Sequence, residues 1–251
     1  MKLARFCPAA FPDDPAEIGE NGENPGLGGE GNASPHIGGI FKAAGHYAGG
    51  LRRGGARNRA DRISHTLTEA QCFALIDAAE RALGVGRPFN RFVTILWERG
   101  GIANGENAGT TGRFVKLASD WARRRGYRLP WAWVQEHGPV NGAHVHMLLH
   151  VPPDLDPLFR PMPLRWVKHL LPGRYVPSVL QCQKIAGGRY YSAAPDLYRV
   201  NLERKLEYML KASSGEIAAR FTGPWLPRAC TVQGKRAGVW QCAMPGTHNM
   251  A

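Results

Sequence analysis

From about Ser64 onward, apolar and polar positions alternate in patterns that predict a chain of short elements. "SHTLTEAQCFALIDAAERALG" carries helical apolar spacing. Thr66 with Glu69, or Thr68 with Gln71, supplies a capping box at its start, and Gly84 a stop. "NRFVTILWE" (90–98) is rich in strand-formers, and "NGENAGTTG" (104–112) reads as a loop. "RFVKLASDWARRRG" places Phe114, Leu117, Ala118 and Trp121 at helical spacing. Arg123, Arg124 and Arg125 close that helix, where cations suit the helix dipole. Two strands follow, "WAWVQEH" and "AHVHMLLHV", then a proline-broken helical stretch over 154–171. A strand near "SVLQCQKI" and a helix through "LYRVNLERKLEYMLKAS" complete the series. Strands interrupted by helices and by one hairpin predict an α+β domain, with a mixed sheet and helices on a face.

The hairpin carries the densest chemistry. Side chains alternate faces along a strand, so His144, His146, Leu148 and His150 share one face of "AHVHMLLHV". Val145, Met147, Leu149 and Val151 form the other, which is wholly apolar. That pattern predicts a strand buried on one side, with its histidines presented on the other. With "GPVNG" (138–142) as the turn, Glu136 falls opposite His144, where facing Cβ atoms lie about 4.5–5.5 Å apart. The same register sets Trp131 and Trp133 on the apolar face with Met147 and Leu149. Glu136, His144 and His146 thus converge as candidate metal ligands. Two imidazoles and a carboxylate leave coordination positions open, which suits a catalytic divalent ion better than a closed structural zinc. Magnesium prefers oxygen ligands, so histidine ligation makes manganese the natural alternative. His150 lies about 7 Å further along and is a candidate either for supporting a ligand from behind or for substrate contact, while His137 points to the opposite face.

In "NLERKLEYMLKAS", Leu202, Leu206, Met209 and Leu210 form the buried stripe of an amphipathic helix. Tyr208 sits off that stripe, with Arg204, Lys205 and Lys211 as its neighbours on the helix surface. Cations beside a phenol favour its ionised form and can also hold a phosphate.

Composition narrows the setting. The net charge is +12, and the excess lies beyond residue 60: residues 1–60 hold 7 Lys/Arg against 6 Asp/Glu, the remainder 25 against 14. A basic domain attracts polyanions, nucleic acid above all. Residues 1–60 hold 13 of the 31 glycines without apolar periodicity and read as a disordered tail. The ordered domain then spans 61–228, and 229–251 reads as an irregular basic tail. Five scattered cysteines with no CxxC pair suggest neither a zinc ribbon nor a disulfide framework, and fit the cytoplasm. No signal peptide and no run of about 18 apolar residues is present, so no membrane association is expected.

Taken in order, "FVTIL", "HVH" and "YMLK" resemble the three motifs of HUH endonucleases. The likeness is to the single-tyrosine replication initiators of rolling-circle plasmids and small circular DNA replicons, and it covers roughly residues 88–213. The final stretch, "GKRAGVWQCAMPGTHNMA", matches no motif of that family. The resemblance implies a ferredoxin-like, RRM-like antiparallel sheet with helices on one face. It implies Glu136, His144 and His146 as ligands of manganese or magnesium, Tyr208 as the nucleophile, and Lys211 as its helper. It further implies metal-dependent nicking and joining of single-stranded DNA at a replication origin through a 5′-phosphotyrosine. Arg123, Arg124, Arg125, Arg204, Lys205 and His150 become candidates for DNA contact. No GxxxxGK[ST] segment occurs, so no helicase is built in and a host helicase would have to melt the duplex; no small-molecule cofactor is expected.

The same motifs serve single-strand transposases. Relaxases carry a third clustered histidine and an N-terminal tyrosine, whereas Tyr208 here follows the histidine pair. From other classes, a metal-dependent phosphodiesterase would not need Tyr208. A non-catalytic binder of single strands would need neither metal nor nucleophile.

Overall fold

The alternation in residues 131–151 builds the middle of a sheet. A computed structural model describes residues 61–188, 191–221 and 230–241, so the reading of 1–60 as a tail lies outside the described residues. The elements run β1 (Ile63–Ser64), α1 (Glu69–Gly84), β2 (Arg91–Ile95), α2 (Asn107–Arg123), β3 (Trp131–Gly138), β4 (Gly142–Leu149), α3 (Asp156–Phe159), α4 (Met162–Leu170), β5 (Leu180–Lys184), α5 (Pro195–Leu210), α6 (Gly215–Phe221), β6 (Val232–Gln233) and β7 (Ala237–Val239). Helix α1 starts at the capping box of Thr68 and Gln71, the second of the two sequence options.

Five strands form one antiparallel sheet in the order β5-β2-β4-β3-β7. Without the edge strand β7, the connectivity β2-α2-β3-β4-α4-β5 gives the ferredoxin-like arrangement. The two crossover helices, α2 and α4, share one face. There Phe114, Trp121 and Trp166 pack on Val93, Ile95, Trp133, Val145, Met147 and Leu149. The opposite face is not left open. Helices α1 and α5, flanking that core in sequence, cover it with Phe73, Ile76, Leu202, Leu206 and Met209 against Phe92, Val134 and Leu148. Helices therefore pack on both faces rather than on one.

Two further expectations change. The segment 104–112 is not a loop throughout, because α2 begins at Asn107. Its glycines and polar residues have low helix propensity, but burial of Thr110 and Thr111 overrides it, and Thr111 Oγ1 accepts from the Trp97 indole at 2.9 Å. Nor is the stretch after 229 wholly irregular. β7 pairs with β3, and β6 pairs with β1. The fully buried Arg236 guanidinium donates to Ser64 and to the Cys230 carbonyl, tying both ends of the domain together. Among the described residues no helix is long and apolar enough to cross a membrane.

Strand β2 is anchored from outside the sheet. Asp156, at the start of α3, accepts a hydrogen bond from Arg91 of β2 and lies 3.2 Å from Lys184 of β5. Burial alone would raise its pKa from 3.8, yet Arg91 and Lys184 outweigh that and hold it at about 2. The folded value is the lower one, so this stabilisation is complete above the ordinary carboxylate pKa and disappears as pH falls towards about 2. Asp156→Asn should cost on the order of 2 kcal/mol in urea unfolding at neutral pH. The gap to wild type should narrow below about pH 4. Equal stability of the two proteins at neutral pH would show that this cluster anchors nothing.

Candidate metal centre

The hairpin register is the one the alternation predicts. Glu136 pairs with His144, Trp133 with Met147 and Trp131 with Leu149. Gly142 ends the turn at φ +60°, and a Cβ there would stand 2.7 Å from the Glu98 carboxylate. That carboxylate in turn accepts the Ala143 N–H at 2.7 Å and fastens the base of β4. On the neighbouring strand β2, Thr94 pairs with His146 and Phe92 with Leu148. Three strands thus contribute to one polar spot on the face covered by α5.

Glu136, His144 and His146 each offer a ligand atom, and these atoms lie within 4.8 Å of one another. Nδ1 of His144 sits 2.8 Å from the Gly142 carbonyl, and its Nε2 lies 3.6 Å from Glu136 Oε2. Nδ1 of His146 sits 2.9 Å from Thr94 Oγ1. Both rings therefore use Nδ1 for hydrogen bonding. His146 Nε2 and Glu136 Oε1 are buried and have no hydrogen-bond partner. Orphaned buried polar atoms are costly, and here they belong to two of the three converging side chains. The site fits a metal ion by its donor set and by these unsatisfied atoms.

The centre is enclosed: Glu136, Tyr208 and Lys211 are each 6% exposed, His144 4% and His146 3%. The histidine face is therefore not presented to solvent, and Tyr208 is not a rim residue. Helix α5 lies across the strands, and the Tyr208 ring meets the edge of His146 at 4.9 Å between centroids and of Phe92 at 6.2 Å. Lys211 Nζ is 3.2 Å from Glu136 Oε2 and 3.3 Å from the centre of the Tyr208 ring. One ammonium thus bridges the carboxylate and the phenol ring.

Electrostatics suit ligation. Burial alone would raise the Glu136 pKa, but Lys211, with His144 and His146, outweighs it and holds the carboxyl at about 2. Burial pushes His146 well below its ordinary value, against the pull of Glu136. At neutral pH the set is an anionic carboxylate beside a neutral imidazole, the forms a divalent ion requires.

The remaining candidates separate. Lys205 stands near the centre, 3.3 Å from Gln183 Oε1 and over the Phe92 ring at 4.8 Å, and Arg204 beside it is exposed. His150 is buried, with Nδ1 2.6 Å from the Pro88 carbonyl, and burial lowers its pKa. It braces the strand end and is not available to a substrate. Arg123, Arg124 and Arg125 terminate α2 on the opposite face of the sheet, where they bond Asp120 and the Trp121 carbonyl. They do not line the centre. Sequence reasoning missed Phe92 and Thr94 as neighbours of His146, although the alternation of "FVTIL" already sets both on one face.

No family model, curated protein or solved structure matches the chain.

Added divalent chloride should raise the unfolding temperature of wild type by mass action, worth about 2.7 kcal/mol at one hundred times Kd. Glu136→Gln and His144→Ala should each abolish that increment, whatever their own baseline stability. An increment retained by both variants would mean that the ion binds elsewhere.

Proposed function

We propose that the protein is an HUH-type endonuclease and strand transferase that nicks and rejoins single-stranded DNA through Tyr208, as replication initiators of small circular replicons do. The observation that carries this reading is the contact of the Tyr208 ring with His146, with Lys211 spanning Glu136 and Tyr208. A phenol ring packed on one histidine of the triad and joined through Lys211 to its carboxylate, in a chain of net charge +12, suits chemistry on a polyanionic phosphodiester.

The Tyr208 oxygen attacks phosphorus and forms a P–O bond, and the P–O3′ bond breaks. The phenol proton is lost and the leaving 3′-oxygen gains one, so no external co-reactant is consumed. A 5′-phosphotyrosine and a free 3′-hydroxyl result. Attack by a 3′-hydroxyl on the phosphotyrosine reverses the sequence, rejoining DNA and restoring the phenol. A manganese or magnesium ion bound by Glu136, His144 and His146 would supply Lewis-acid polarisation of the phosphate. Two nitrogen donors favour manganese. Lys211 holds the phenol ring and supplies positive charge beside the developing phosphorane oxygens. Lys205 and Arg204 are the cations placed to draw the DNA backbone toward this face. With Tyr208 only 6% exposed, the C-terminal half of α5 has to shift before a phosphodiester enters. The substrate is melted DNA at an origin, delivered by a separate helicase.

Incubation of the protein with tiled single-stranded oligonucleotides from its own replicon and manganese should give a denaturant-resistant protein–DNA adduct. EDTA should prevent it, and Tyr208→Phe should reduce it by at least about a thousandfold. Cleavage that persists in Tyr208→Phe without an adduct would identify a phosphodiesterase, and metal-independent binding without cleavage a single-strand binder.

A further inference from the structure

We infer that Thr94 is the positioning residue that locks His146 with Nε2 directed at the metal. This rests on reading the triad as a metal centre and does not depend on the DNA chemistry.

The His146 ring has two degrees of freedom to be fixed, its plane and the nitrogen that keeps a lone pair. Phe92 fixes the plane, lying parallel to the imidazole within 9° at 5.5 Å between centroids. Tyr208 meets the same imidazole in a T-shaped contact at 4.9 Å between centroids. The choice of nitrogen falls to Thr94, whose Oγ1 is 2.9 Å from Nδ1. A hydroxyl both donates and accepts, so the direction follows from the other nitrogen. Nε2 is buried and has no acceptor within hydrogen-bond reach. A proton there would be a stranded donor, whereas a lone pair there is free for an ion held together with Glu136 and His144, whose ligand atoms lie within 4.8 Å. Nδ1–H therefore donates to Thr94. His144 is held by a different route, its Nδ1–H donating to the Gly142 carbonyl. One ligand is thus held by its own strand and the other by its neighbour, β2. Thr94 and His146 are directly paired residues, so the hydroxyl is delivered by sheet register rather than by a mobile loop. Such outer partners of metal-bound histidines commonly govern affinity.

The test compares wild type, Thr94→Val and Thr94→Ser. Valine keeps the β-branched shape without the hydroxyl, and serine restores the hydroxyl without the methyl. Nitrogen-15 NMR of the metal-free protein should show His146 protonated on Nδ1 in wild type and Thr94→Ser. It should show a mixture or Nε2 protonation in Thr94→Val. Manganese titration followed by electron paramagnetic resonance should give about 10–100-fold weaker binding for Thr94→Val, with wild-type affinity in Thr94→Ser. If Thr94→Val does not fold, Thr94→Ala takes its place. Wild-type His146 protonated on Nε2, or wild-type manganese affinity in Thr94→Val, overturns the role of Thr94 while leaving the triad intact. Failure of wild type to bind manganese, cobalt or zinc overturns the metal centre itself, and this inference with it.

Discussion

The constraint on which the rest depends is the pairing of Glu136 with His144 across the β3–β4 hairpin. A strand has a period of two, so a slip of one residue would move every histidine to the opposite face and send Val145, Met147 and Leu149 into a polar spot. Three things forbid that slip. The apolar face is packed by α2 and α4, the turn is held by Gly142 at positive φ, and Glu98 fastens the backbone at Ala143. The three candidate ligands are therefore brought together by forces that have nothing to do with a metal. Hydrophobic burial on one face pre-organises chemistry on the other.

That other face carries the harder physical problem. A carboxylate and an ammonium are both removed from water beside two imidazoles, and desolvating them is expensive. Glu136 and Lys211 offset each other's charge at 3.2 Å, and His146 is kept neutral by the same burial. Aromatic rings from β2 and α5 fill the space around them. Such an arrangement adds little net stability but constrains the geometry of charge strictly: removing any one partner leaves another stranded.

The position of α5 links the two problems. Its stripe of Leu202, Leu206, Met209 and Leu210 secures it against α1 and the sheet. Tyr208 and Lys211 are then buried, Tyr208 against His146 and Lys211 against Glu136. The helix serves as a lid on the polar face as well as the carrier of its phenol and ammonium. Arg123, Arg124 and Arg125, equally basic in sequence, are separated from this centre by the whole thickness of the sheet.

Much of this was legible beforehand, because it follows from local periodicity. Alternation in "AHVHMLLHV", with a short glycine-bounded turn, determined which residues share a face, hence the convergence of Glu136, His144 and His146. Helical spacing determined the buried stripe of α5, and strand propensity the existence of β2 and β5. Other features needed the fold. Residues 107–112 are helical because burial overrides weak propensity, and β7 exists because β3 offers it an edge. The contact of Tyr208 with His146 and the support of His146 by Thr94 join residues 62 and 52 positions apart in sequence, and the enclosure of the histidines depends on the packing of α5 as well. No local pattern encodes such separations; only the order of strands and the packing of α5 across them could decide these contacts.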